Sequence, residues 1–415
     1  MRHKILWAFG VLFLLPGLAR SQTYASARSI GMAGAYTAVA RGVWAPLWNP
    51  ANLALPGHPS FSLNVVGAGF RLGNSSFSKS TYDRYNGKYL SSEDVKTLLS
   101  EVPEDGLKLY LNTDISAVGF SIGRFALTAG GAVVSNLSIA KDYLRIVLQG
   151  MEFETSYNIG DNSGEAIGYS NITASYAFPL PVPPFLNSLY MGVSAKYLIG
   201  LGYSGIVESS GEFYNGWESH GSGHVVARYA QGGAGFAFDV GLASQLKGWT
   251  VGMAVMNLAA SIKWSVRPEE FEAQFYTIHP LTVENAAKED SVIAHEENTR
   301  PTKAFRTALP AELKLGAARN WRSFVLSVSY RQGFSAGLGV PRNPYFAFGT
   351  EWQGLRVLPL RLGVGIGGDH GAVFASGFGI RLGFFRMDYG IRFNGAFAPS
   401  KAKALVMGLS TYLQF

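Results

Sequence analysis

Three short patterns carry residue types that could do chemistry. Gly333-Phe334-Ser335-Ala336-Gly337 spells a nucleophile elbow, which holds a serine at a sharp turn between a strand and a helix. The residues after it read as a loop and another strand, so this serine has no helix behind it. Gly363-Val364-Gly365-Ile366-Gly367-Gly368 has the glycine spacing of a dinucleotide turn. It runs into Gly368-Asp369-His370-Gly371, a second turn, and without a helix N-terminus no phosphate cradle forms. His220 and His224 stand four apart, a metal-ligand spacing on a helix, but the glycines between them argue against a helix. No serine and histidine pair is placed to hydrolyse lipid at an outer wall. With no cysteine there is neither thiolate chemistry nor a disulfide framework. The chain reads as no enzyme, with no metal and no cofactor.

What the elements must do instead begins with compartment. Arg2, His3 and Lys4 precede an apolar run, Ile5 to Leu18, that is short for a membrane span. Ala19-Arg20-Ser21 then offers small residues for cleavage, so residues 1–21 read as a secretory signal peptide. Of the 415 residues, 47% are hydrophobic and only 15% charged, against about 25% charged in soluble domains. Nothing after the signal is a long enough apolar run for a membrane helix. Fifty glycines, 27 Phe and 20 Tyr point to strands and turns. The formal charge of +7 falls to +4 without Arg2, Lys4 and Arg20, too little to argue for nucleic acid.

Period-two alternation carries the fold, because successive side chains of a strand face opposite ways. Phe385, Met387, Tyr389, Ile391 and Phe393 alternate with Arg386, Asp388, Gly390, Arg392 and Asn394. Leu360, Leu362, Val364 and Ile366 alternate with Arg361, Gly363, Gly365 and Gly367. About fourteen such segments start near residues 59, 114, 125, 166, 188, 231, 249, 309, 323, 343, 357, 372, 384 and 403, most of them the length of a tilted membrane strand. The expected fold is all-β: a 14-stranded antiparallel transmembrane β-barrel over residues 57–415, preceded by an N-terminal plug at 22–56.

The connections agree. Those at 74–113, 141–165, 204–230 and 265–308 read as long loops, and the intervening ones, such as Lys247-Gly248, as short turns; outer-membrane barrels place long loops outside and short turns in the periplasm. Ser91-Ser92-Glu93-Asp94 predicts a capped surface helix in the first loop. The stretch 269–297 holds Glu269, Glu270, Glu272, Glu284, Glu289, Asp290, Glu296 and Glu297 and reads as a solvated or partner-docking loop. Trp249, Trp321 and Trp352 sit beside short turns and Trp264 at the other end of its strand, which suggests interfacial belts.

Between signal and barrel, Gly31-Met32-Ala33-Gly34-Ala35 and Trp48-Asn49-Pro50-Ala51 lie in a segment rich in small residues. It is too apolar to hang free and too small-sided for an outer strand. With these motifs the chain resembles the FadL/PorV-like outer-membrane superfamily, whose opening is a Gly-Met-Gly-Gly-Ala run, an acidic pair and Asn-Pro-Ala-Gly. Ala33, Arg41-Gly42 and Asn52 depart from that pattern. The resemblance implies a plug in a fourteen-stranded lumen. The terminal alternation ending in Leu413 and Phe415 resembles the strand read by the barrel-assembly machinery.

The expected ligand path joins Gly31, Met32, Gly34, Trp44, Trp48, Asn49 and Pro50 of the plug with Phe77 of the first loop. Arg331, Arg361, Arg381, Arg386 and Arg392 are expected on the lumen wall, to draw a carboxylate, bind the plug, or pair with Asp239, Glu351 and Asp388. Two functions remain open: passage of hydrophobic or amphipathic, fatty acid-like molecules, or a PorV-like barrel docking secretion components. Outer-membrane lipid surrounds it in either case.

Overall fold

The computed structural model describes residues 26–182, 184, 186–280, 293–337, 340–369 and 371–415; the signal segment, Glu284, Glu289, Asp290 and His370 lie outside them. In chain order the strands begin with β1 (Phe61–Asn74), β2 (Leu107–Ile122), β3 (Phe125–Ile139), β4 (Thr155–Asn158), β5 (Ser163–Pro179) and β6 (Ser188–Asn215). They continue with β7 (His220–Ala230), β8 (Gly232–Leu246), β9 (Trp249–Val266), β10 (Glu269–Thr277), β11 (Ile293–Pro301), β12 (Phe305–Ala308) and β13 (Glu312–Trp321). The last are β14 (Phe324–Gly333), β15 (Tyr345–Trp352), β16 (Leu360–Gly367), β17 (Ala372–Leu382), β18 (Phe385–Asn394) and β19 (Ala404–Gln414).

Fourteen of these close a ring. Antiparallel pairs run β1–β2–β3–β5–β6–β8–β9–β13 and then strand by strand to β19, which pairs back with β1. Closure leaves no unpaired edge in the ring, the condition for a sheet to cross lipid. Phe70, Ile172, Phe236, Val328, Phe348, Leu362 and Leu409 are exposed on the outside, as the alternation predicts. Among the described residues no helix is long and apolar enough to cross a membrane. The strands do the crossing, and the protein is an outer-membrane barrel.

Two connections read as loops are strands. The 28 residues of β6 run past the ring, and its far part pairs with β7, which pairs with β10, which pairs with β11. The far part of β6 carries polar residues on both faces, such as Glu208, Ser209 and Ser210, so no apolar alternation marks it. Residues 204–230 and much of 265–308 therefore build an extracellular sheet standing on the barrel. β2 also begins at Leu107, earlier than its apolar pattern. The capped helix is present at Ser92–Glu101, with Ser91 and Asp94 forming a capping box.

Candidate functional site

Inside the ring lies the N-terminal segment. Every residue from Ser26 to Leu53 is buried except Arg28 and Arg41, which are half-buried. It has little regular structure: a helix at Ala27–Gly31 and 3-10 turns at Gly42–Leu47 and Pro50–Ala54. Local chemistry explains the last turn. Asn49 Oδ1 accepts from the Ala51 amide at 3.0 Å, and Pro50 supplies a helical φ at a position needing no donor. Asn49 also donates through Nδ2 to Leu242 O of β8 at 2.8 Å, tying the turn to the wall. Gly34 has φ +84°, a conformation suited to glycine. Trp48 stacks edge-on against Tyr36 at 5.6 Å, beneath Lys314 Nζ at 4.8 Å. Trp44 meets Tyr412 of β19 edge-on at 5.9 Å.

The wall makes room for this plug with glycine. A Cβ added at Gly316 would lie 2.8 Å from Thr37 Cβ, at Gly349 2.8 Å from Met32 O, and at Gly363 2.5 Å from the Ala33 amide. At Gly192 and Gly241 it would strike Ala51 and Asn49, and at Gly390 the carbonyl of Ala27. Gly31 rests on Gly377, its own Cβ position 3.1 Å from that Cα. Many of these glycines face each other across strands: Gly192 with Gly241, Gly252 with Gly316, Gly349 with Gly363, and Gly377 with Gly390. They form a seat cut to the backbone of the plug. Alternation alone marked some of these positions as inward, but only the register shows that they line up.

One carboxylate joins plug to wall. Glu351 of β15 accepts from Arg28 of the plug at 2.6 and 3.0 Å, from Arg361 at 2.7 Å and from Arg381 at 2.8 Å. Arg361 also reaches Asp388 at 2.6 Å, and Tyr412 donates to the same carboxylate at 3.0 Å. Arg361 and Arg381 thus meet the plug through an acid, because the plug's own charges are Arg28 and Arg41. Arg331 is buried over Trp48 and Tyr345, 3.9 Å from Glu312. Arg392 is buried on β18. Arg386 stands apart at the β17–β18 turn, donating to the carbonyls of Gly383 and Phe385. Asp239 pairs with Lys196 at 2.7 Å.

Above the plug, the lumen is lopsided. Val134 of β3, Ile167 and Tyr169 of β5, Leu198 of β6, and Ile262 and Trp264 of β9 form a continuous apolar cluster. Asn112 and Asp114 of β2, Arg71 of β1, and Arg392 and Asn394 of β18 lie on the opposite arc. Trp264 belongs to the first arc and is fully buried, its Nε1 donating to Thr307 at 3.1 Å. The expected interfacial role fails there, because the even-numbered residues of β9 near it face inward. Trp321 is exposed beside its short turn, as expected. A cavity of about 370 Å³ sits at the extracellular mouth, lined by Lys108, Tyr110, Leu137, Glu165, Tyr203 and Ile206, among others. Phe77 lies at that outer end, in a turn held by Asn74, and does not join the plug residues. Beside the apolar arc, β9 has left-handed residues at Asn257 and Ala259, and its pairing passes from β13 to β12 across Leu309–Ala311. The ladder of the wall is interrupted there.

A closed cylinder with an apolar exterior and a stopper bolted inside defines a plugged outer-membrane barrel, the architecture implied by the FadL/PorV-like resemblance. Residues 49–227 match the model of a family of unknown function, DUF5723. In fold the chain is similar to the Ralstonia pickettii toluene transporter TbuX, at 14% identity and a TM-score of 0.48, over 97% of this chain and 100% of that one. It is also similar to a mutant of the monoaromatic hydrocarbon channel TodX, at 12% identity and a TM-score of 0.49, over 96% and 99%. None of the curated proteins matches the sequence.

Proposed function

We propose that the protein passes hydrophobic small molecules through the outer membrane, with displacement of the plug as the opening step. The observation that carries this reading is the apolar arc from Val134 to Trp264 inside the lumen, which leads from the mouth cavity toward the plug. A water-filled channel has a polar interior. An apolar strip along one wall offers a nonpolar solute a path at little desolvation cost. Such passage needs no covalent step. Amphipathic, fatty acid-like solutes fit equally well, with the polar arc of Arg71, Asn112 and Arg392 opposite the apolar one. The similar structures are those of a toluene transporter and a monoaromatic hydrocarbon channel, proteins with nonpolar cargo. The extracellular sheet of β6, β7, β10 and β11, standing beyond the ring, favours the second reading of a barrel that docks exported proteins. Uptake of radiolabelled toluene and of a labelled fatty acid by cells with and without the gene separates them. Faster uptake with the gene supports passage, and equal uptake of both solutes removes it.

A further inference from the structure

Charge is divided sharply between the two ends of the barrel. Among the described residues the carboxylates of the long connections lie at the outer end, whereas the short turns and their flanks carry cations: Arg124, Lys247, Arg322, Arg356 and Arg386. At the inner end the described residues include no exposed acid; Glu351 is buried and fully engaged. A vestibule of about 510 Å³ opens there, beneath the plug, and its lining includes Arg28, Arg41, Arg319, Arg381 and Arg386 with no acidic residue. Among the described residues Arg41 has no carboxylate partner; it spends its Nη1 on the carbonyls of Ala38 and Ala40. Burial, together with the charge of Arg28, pushes its pKa down to about 10. Like charges gathered in a recess hold a strong positive potential that a bound anion would relieve.

We propose that this periplasmic recess and its rim are a docking site for an acidic, extended segment of a periplasmic protein. Two features select that occupant. The guanidiniums come from the plug, the inner end of β13 and the β17–β18 hairpin, so they are spread around the mouth and suit several carboxylates in a row better than one. Arg28, Arg41 and Arg381 line the inside of the cylinder, where headgroups of the surrounding lipid do not reach, so lipid phosphate accounts only for the outer rim. Planar guanidinium groups accept carboxylates in paired hydrogen bonds. Docking here would place a partner directly against the plug, at the face from which it can be pulled or held. The proposal does not depend on what passes through the barrel.

The test uses the full barrel in nanodiscs of phosphatidylcholine and a fluorescent dodecapeptide of alternating Glu and Ser, with its Gln counterpart as control. The Glu peptide is expected to bind and to weaken at least tenfold between 50 and 500 mM NaCl, roughly as screening of exposed charge requires, while the Gln peptide does not bind. Arg41→Gln with Arg386→Gln should weaken binding about tenfold, whereas Arg124→Gln with Arg356→Gln on the rim should change it less than about threefold. Heat-modified gel mobility verifies that both variants remain folded. Equal binding of the two peptides, or an unchanged vestibule variant, overturns the proposal. So does an effect confined to the rim pair with binding lost in phosphatidylglycerol discs, which would assign the cations to lipid.

Discussion

Replacing Glu351 with glutamine keeps the shape of the side chain and removes the charge on which three guanidiniums converge. Arg361 retains Asp388 at 2.6 Å, and Arg381 reaches the vestibule. Arg28 loses the carboxylate that holds it at 2.6 Å, and Arg28 is the plug's ionic link to the wall. Removing one member of a buried pair costs about 3 kcal/mol or more, because the other charge is left desolvated. At about 1.4 kcal/mol per tenfold, that is a roughly 150-fold rise in the unseated fraction of the plug. The assay is conductance in planar bilayers together with trypsin cleavage at Arg28 and Arg41 in the intact barrel. Glu351→Gln should flicker open and be cut faster than the parent. Adding Arg28→Gln should recover much of the loss, since the stranded charge is then gone. A folded Glu351→Gln barrel that stays as silent and as protease-resistant as the parent would refute the reasoning.

Three other outcomes follow from the same geometry. Gly192→Val places a side chain where Ala51 sits, so the plug should be expelled from that side, read as trypsin sensitivity with normal barrel mobility on gels. His58 accepts from the Gly42 amide at 3.3 Å, and burial with the Arg41 charge pushes its pKa down to about 4. A released plug then takes up more protons than a seated one between about 6.5 and that value, so seating weakens as the pH falls through this window; openings in planar bilayers should become more frequent toward pH 4.5, and less so in His58→Gln. Trp264→Ala empties part of the apolar arc and should cost about 3–5 kcal/mol, seen as a lower unfolding temperature with the barrel still assembled.

The ring was legible because lipid and lumen impose opposite demands on alternate residues. Each of the fourteen wall strands starts within a few residues of its apolar pattern, with β2 the exception. Where a strand has water on both sides that demand weakens, so β7 and β11 left no apolar alternation to read, and the short one in β10 (Phe271, Ala273, Phe275) was lost among its many glutamates. Trp264 misled for a related reason: tryptophan type suggests an interface, but the parity of its strand points it inward. Met32, Gly34, Trp48 and Asn49 do meet in the plug, since small residues and an Asn-Pro turn are local signals. The glycine seat and the role of Glu351 depend on strand register and on contacts more than three hundred residues apart, such as Arg28 with Glu351. No local pattern carries that information.

Because the chain has no cysteine, single cysteines can be introduced one at a time from position 360 to 367 of β16 and spin-labelled in a bilayer. Collisions with lipid-dissolved oxygen should peak at 360, 362, 364 and 366 and fall at 361, 363 and 365. Uniform oxygen access along the strand, or labels reporting water on the even-numbered positions, would contradict a cylinder whose apolar face meets lipid.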